Sequence, residues 1–266
     1  GAADLPPPES AGFERLAEVL AAAAGALAAA WRAERPLRVL ELGAGGALTR
    51  KALEALGRSG RRVLYTAVGS GTPAEAARTA MAHTAAPGRV EFAWESWDPL
   101  AAAGGAPGSG PADLILGLGA TLRAGIGPDA EALVAAVLRN AAAPGATLLL
   151  AEPLAGRVWD FVCGQDAAWW EGSGPGGSAL LDAAGWRNAL QAAGWEEAEA
   201  TPLSAAPWPA ALIAARAPDA TVAPVAAGAR PAMPAAAVAA RQASEADPSP
   251  PMAAARPASS TQAPAA

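Results

Sequence analysis

Cysteine, histidine, tyrosine and lysine occur once each in these 266 residues, as Cys163, His83, Tyr65 and Lys51. A lone thiol excludes an internal disulfide and a Cys-based zinc site. One imidazole beside it leaves no ligand set for a structural zinc or a His-dependent centre, so no metal is expected. No Cys–His or Ser-His-Asp arrangement can be drawn, which excludes the usual activated nucleophiles. Charge of one sign is lacking too: 19 Lys+Arg stand against 25 Asp+Glu, for a net charge of −6. No basic stripe and no interleaving of basic and aromatic residues is visible along the chain, so no nucleic-acid partner is expected. Long hydrophobic runs are missing as well. Residues 21–30 are apolar but nearly all alanine, too short and too weakly hydrophobic to span a bilayer. Asp4 and Glu9 stand where a signal peptide would carry cations. The expectation is a soluble, cytoplasmic protein with no membrane partner.

Two compositional regimes divide what is present. All nine tryptophans lie between Trp31 and Trp208. From residue 219 onward the chain is rich in alanine and proline, with serine and glutamine, and has no aromatic residue. Such a composition buries too little apolar surface to offset its ordering entropy, so 219–266 reads as a disordered Pro/Ala-rich linker. Residues 1–35 read as an N-terminal helical segment, with a helix over 12–33, and 36–218 as one α/β domain. Short apolar runs flanked by glycine or proline predict buried strands at 38–42, 62–67, 89–93, 112–118 and 146–151. Helical patterns at 48–56, 73–83 and 129–140 separate them. A helix over 182–193 and two closing strands at 197–201 and 210–215 follow. Strand–helix alternation implies a parallel sheet with right-handed crossovers. The closing pair adds an antiparallel strand at one edge, giving a seven-stranded, mostly parallel, Rossmann-like sheet.

In such a sheet ligands bind at the carboxyl ends of the strands, near the point where strand order reverses. The first strand ends at Glu41 and runs into Gly43, Ala44, Gly45, Gly46 and Ala47. Glycines there allow a tight turn whose backbone N–H groups approach a ligand closely, and Glu41 sits where a carboxylate can take hydrogen bonds from that loop or from an amino group. This is the E-x-G-x-G-x-G layout of S-adenosylmethionine (SAM) binding, with Ala47 as the third glycine; the bland reading is a tight strand-to-helix turn. The second strand should end in an acidic residue for the ribose hydroxyls, but the chain offers Gly69. Losing that charge-assisted pair weakens nucleoside binding by about 1.5–3 kcal/mol. After the third strand Glu95 or Asp98 is available to read adenine; alternatively Trp94 and Trp97 pack into that space. The fourth strand runs into Gly119, Ala120, Thr121 and Leu122 without a general base. Glu152, ending the fifth strand, is the one carboxylate in a catalytic location, and it reads equally well as a hydrogen-bonded structural residue. Arg157 and Asp160 are spaced for an exposed ion pair of small worth. Cys163 reads as a small core residue, and Trp159, Trp169, Trp170, Trp186 and Trp195 as hydrophobic packing. A nicotinamide-binding Rossmann domain is the weaker reading of the glycine loop, because no Tyr–Lys pair accompanies it.

Together these segments resemble the methyltransferase domain of type I polyketide synthases over about residues 35–203. The family's loop, of the form LRVLEIGAGTGGTT, is matched from Leu37 to Thr49. Its YTFTDVS segment is faintly matched by Tyr65 and Thr66, its DP pair by Asp98 and Pro99, and DLVVAANVLHAT by the run from Asp113 to Ala124. LLLLE corresponds to the run ending at Glu152. The R-W-x-D…G…WW pattern is met by Arg157, Asp160, Gly164, Trp169 and Trp170, and W-R-x-L-L-x-x-A-G-F by Trp186, Arg187, Leu190, Ala193, Gly194 and Trp195. The last two patterns are the specific ones, since generic SAM enzymes lack them.

The resemblance implies a class I SAM-methyltransferase fold, and it implies departures at the site. The loop glycine is Ala47, the ribose aspartate is Gly69, and the adenine-side aspartate falls near Trp94. The catalytic His falls at about Leu122, which leaves Glu152 without its dyad partner. The family's N-terminal lid subdomain has little room before the first strand. Scaffold positions persist while site positions are lost. The expectation is therefore a catalytically inactive pseudo-methyltransferase with no bound cofactor, a structural part of a synthase whose partners are neighbouring synthase domains and an acyl carrier protein. The alternative is an active SAM-dependent C- or O-methyltransferase acting on a carrier-bound β-ketoacyl chain. It would use Gly43 and Gly45 for SAM and Glu152 as base; Glu41, Gly43, Gly45, Ala47, Gly69 and Glu95 are the vestigial cofactor-side positions.

Overall fold

The computed structural model describes residues 11–43, 46–69, 89–96, 110–120, 128–165, 167–170, 178–204 and 208–219. All of them fall in one compact unit, Gly1–Val222. The linker expected from 219 onward, the crossover helix expected at 73–83 and His83 lie outside the described residues, Asp219 excepted.

The chain opens with α1 (Ala11–Ala30), which buries Phe13, Leu16, Ala17, Leu20, Ala24 and Ala28 along one face, as helical periodicity requires. It stops before the expected residue 33. The Trp31 indole N–H donates instead to the Arg35 carbonyl at 3.0 Å and folds the chain back toward the sheet. Next come β1 (Leu37–Leu42), α2 (Ala47–Arg58), β2 (Val63–Gly69), β3 (Val90–Ser96) and β4 (Ala112–Leu118). The chain continues through α3 (Pro128–Ala141), β5 (Ala142–Pro153), α4 (Arg157–Cys163), a 3-10 turn (Ala167–Trp170), α5 (Ala183–Ala192), β6 (Glu196–Pro202) and β7 (Ala210–Arg216). The strands form one seven-stranded sheet in the order β3-β2-β1-β4-β5-β7-β6. β3, β2, β1, β4 and β5 are parallel, and β7 is antiparallel to both β5 and β6. The expected Rossmann-like architecture is thus present, with its antiparallel strand lying between β5 and β6 at one end of the sheet.

Two cores flank the sheet. One joins α1 and α2 to Val39, Tyr65, Leu116, Trp159 and Trp169; the other joins α3 and α5 to Leu40, Ile115, Leu148, Trp186 and Trp195. Alternation along each buried strand explains the division, since Val39 and Leu40 point to opposite faces. Pro144-Gly145 does not separate α3 from β5 but lies within the opening of β5, which starts before the expected residue 146. Gly145 has φ 70°, and the register against β4 slips between Ala112 and Leu114. A proline that cannot donate and a glycine in the left-handed region together make a bulge. Asp182 caps α5, its carboxylate accepting the Gly185 N–H at 2.7 Å. No helix among the described residues is long and apolar enough to cross a membrane.

Candidate functional site

Strand order reverses between β1 and β4, so the cleft expected of this topology opens over their carboxyl ends. Gly43, directly after β1, has φ 68°, a left-handed conformation that favours glycine. Gly46 is the N-cap of α2, adopts an extended conformation and gives no side-chain cap. Ala47 is the first residue of α2 and is buried in the α1–α2 core. Gly45 lies outside the described residues.

Glu41 is 1% exposed, and its carboxylate is committed inward. One oxygen accepts the Thr49 hydroxyl at 2.9 Å and the other the Tyr65 hydroxyl at 2.6 Å. Odd-numbered positions of β1 face the α1–α2 side, which directs Glu41 at the first turn of α2 and at the neighbouring strand rather than over the cleft. Burial pushes its carboxyl up to about 7, against the lowering effect of the two hydrogen bonds, Tyr65 and then Thr49. Burial, and then the Glu41 charge, raise the Tyr65 phenol well above its ordinary value, so it stays a donor. The donors that Glu41 meets among the described residues are two hydroxyls of the core, Thr49 and Tyr65. Sequence reading missed Thr49 and Tyr65. Thr49 was within reach as a first-turn residue of the next helix, but Tyr65 becomes a partner only through the parallel register of β1 on β2.

The remaining positions follow the same pattern. Gly69 ends β2 opposite Ser96 and offers no acceptor for a ribose. β3 runs on past its expected end through Trp94 and Glu95. Trp94 packs, half-buried, against the α1–α2 core. Glu95, also half-buried, alternates to the other face. Glu152 is 1% exposed, and its Oε1 accepts the Ala120 N–H at 3.0 Å. It therefore satisfies an otherwise orphan backbone donor at the turn leaving β4, where Gly119 has φ 55°. Glu152 lies on the same sheet face as Leu150, opposite to Glu41, so the two carboxylates do not converge. Leu122, Trp97, Asp98 and Thr121 lie outside the described residues.

The expected Arg157–Asp160 pair is not formed. Asp160 accepts instead from the Trp169 indole at 3.1 Å and the Ser178 hydroxyl at 2.7 Å. Cys163 is buried, and burial followed by the nearby Asp160 charge raises its thiol. Trp159, Trp169, Trp186 and Trp195 are core residues as expected, whereas Trp170 is 42% exposed. The left-handed Gly43 and the N-terminus of α2, which has no side-chain cap, fit backbone contacts to SAM. The acidic contacts do not fit: Glu41 is sealed in the core and Gly69 has no side chain.

No protein-family model matches the sequence, and no curated protein matches it either. Solved structures do. The CMeT domain of the citrinin polyketide synthase is 26% identical over 70% of this chain and 47% of that one, with a TM-score of 0.55. The DszA carbon methyltransferase is 18% identical over 77% of this chain and 54% of its own, with a TM-score of 0.56. The magnesium protoporphyrin IX methyltransferase ChlM from Synechocystis PCC 6803, with bound SAH, is 14% identical over 82% and 90%, also at 0.56. The fold is that of the SAM-dependent methyltransferases, and carbon-methyltransferase domains of polyketide synthases are among its structural neighbours. This chain spans about half the length of the citrinin synthase domain and of DszA.

Proposed function

We propose that this domain is a non-catalytic, methyltransferase-like structural part of a type I polyketide synthase. The observation that carries the reading is the inward commitment of Glu41, whose two oxygens are held by Thr49 and Tyr65 inside the core. Gly69 at the ribose position and the engagement of Glu152 by the Ala120 N–H support it. On this reading the domain carries no SAM, its partners are neighbouring synthase domains and an acyl carrier protein, and it works in the cytoplasm. The resemblance in the Trp186–Trp195 and Arg157–Trp170 stretches, and the likeness to carbon-methyltransferase domains, support the synthase context.

A second reading has its own observation. The left-handed Gly43 and the uncapped N-terminus of α2 keep the backbone half of a SAM site, and an active C- or O-methyltransferase would use them with Glu152 as base. Isothermal titration with SAM, and separately with S-adenosylhomocysteine, to millimolar ligand decides between the two. The expected result is no heat and no thermal shift, whereas a ligand at 100 times its dissociation constant stabilises by about 2.7 kcal/mol. Micromolar binding overturns the non-catalytic reading and turns attention to Glu152→Gln with a carrier-bound acyl substrate.

A further inference from the structure

The amino edge of the sheet, opposite the glycine turn, gathers arginines from segments far apart in sequence. Three neighbouring parallel strands open with one each: Arg38 in β1, Arg62 before β2 and Arg89 before β3. Their backbones are laced together, Leu37 N–H donating to the Arg62 carbonyl at 2.9 Å and Val63 N–H to the Arg89 carbonyl at 2.8 Å. Adjacent strands lie about 4.8 Å apart, so the three form a continuous row. Arg58 and Arg61 flank the turn out of α2, and Arg32 and Arg35 the turn out of α1. The two helices run side by side in the same direction, since Glu14 pairs with Lys51 near their starts and Gly25 lies against Ala55 further on. Both helices therefore end at this edge, beside a cavity of about 280 Å³ lined by Ala22, Gly25, Ala29, Ala55, Arg58 and Ser59.

The described carboxylates do not balance this rim. Asp113 is nearly buried and spent on Arg35, in a two-pronged pair at 2.6 and 2.7 Å, and on the Arg38 N–H at 3.0 Å. Glu91 pairs with Arg62 at 3.2 Å, and Glu34 is exposed. Among the described residues, Arg32, Arg58 and Arg61 form no ion pair, in a chain whose carboxylates outnumber its cations. The segments that lead into this edge, 84–88 and 99–109, contain no charged residue. Helix dipoles account for an arginine at each helix end. They do not account for the row at the strand starts.

We propose that this arginine rim is a docking surface for an acidic protein, one presenting a cluster of exposed carboxylates. A compact cationic rim on a net-negative molecule favours a partner whose charge is local. An extended polyanion such as nucleic acid meets repulsion from the rest of the surface, and the indole at this edge, Trp31, is already covered by the Arg35 guanidinium 5.0 Å from its ring centre rather than presented for base stacking. The inference does not depend on whether SAM binds, because the rim lies at the other end of the strands.

The test is fluorescence anisotropy of the full chain with a labelled helical peptide carrying a stripe of glutamates, beside a single-stranded oligonucleotide of equal charge, at low and at physiological salt. Two double variants with the same change in net charge are compared, R32E/R58E at the rim and R157E/R187E away from it. The rim variant is expected to weaken peptide binding at least about tenfold while the distant one stays within about twofold. Equal loss in both variants, no peptide binding by the wild type, or tighter binding of the oligonucleotide overturns the proposal. R32Q/R58Q replaces the charge reversal if R32E/R58E fails to fold, with the same two outcomes at smaller amplitude.

Discussion

At Glu41 a carboxylate that the sequence offers to a ligand is used by the fold itself. Thr49 and Tyr65 meet its two oxygens, and the site is dry enough that burial raises the carboxyl to about 7, against 4.5 for the free side chain. The folded state thus holds this proton more tightly than the unfolded one. Its contribution to stability is full below about 4.5 and is lost as pH rises through about 7, at most about 3 kcal/mol. Thermal denaturation at about pH 5 and pH 8 should show wild type losing ground relative to Glu41→Gln at the higher pH; parallel shifts in the two proteins would refute this. That Glu41 and Glu152 matter was legible in their positions at strand ends. What they touch was not, because Tyr65 and Ala120 reach them only through strand pairing and a turn 32 positions away in the chain.

At the scale of elements the sequence located every described strand and the long helices, missed α4 and the 3-10 turn at Ala167–Trp170, and the misplaced ends have local causes. α1 stops short where Trp31 turns back to the Arg35 carbonyl, and β5 begins early because Pro144-Gly145 is absorbed as a bulge. β3 is longer than its apolar core because pairing with β2 continues through Gly69 and Ser96, a gain that no propensity within β3 announces. The start of α1 is seated by an aromatic group, Phe13 lying 5.3 Å from Trp208 and Trp208 5.5 Å from Trp159. A Cβ on Gly12 would stand 2.2 Å from the Trp208 ring, which has to move to admit it. Gly12→Ala is therefore expected to cost about 1–3 kcal/mol and to alter tryptophan fluorescence in the native state. An unchanged melting temperature would show that α1 is not anchored there.

Over the whole molecule, charge is sorted in a way that the linear sequence hides. Reading along the chain finds no basic stripe, yet the fold brings Arg38, Arg62 and Arg89 to neighbouring strand starts. Despite its net charge of −6, the chain should be retained by a cation exchanger at low salt. It should be released near about 0.15 M, where screening acts over about 8 Å, and R58E/R61E should flow through; elution of the wild type in the void would count against a functional rim. The fold class, by contrast, was available from sequence alone. Apolar runs of strand length alternating with helical periodicity leave a parallel sheet as almost the only way to bury both, and that information is local. The glycine turn after β1 was equally local. Which donors claim Glu41, that Glu152 holds a backbone N–H, and that the arginines form one edge were decided by tertiary structure. Each depends on register between strands distant in sequence, and a register is set by the packing of the whole sheet rather than by any segment of it.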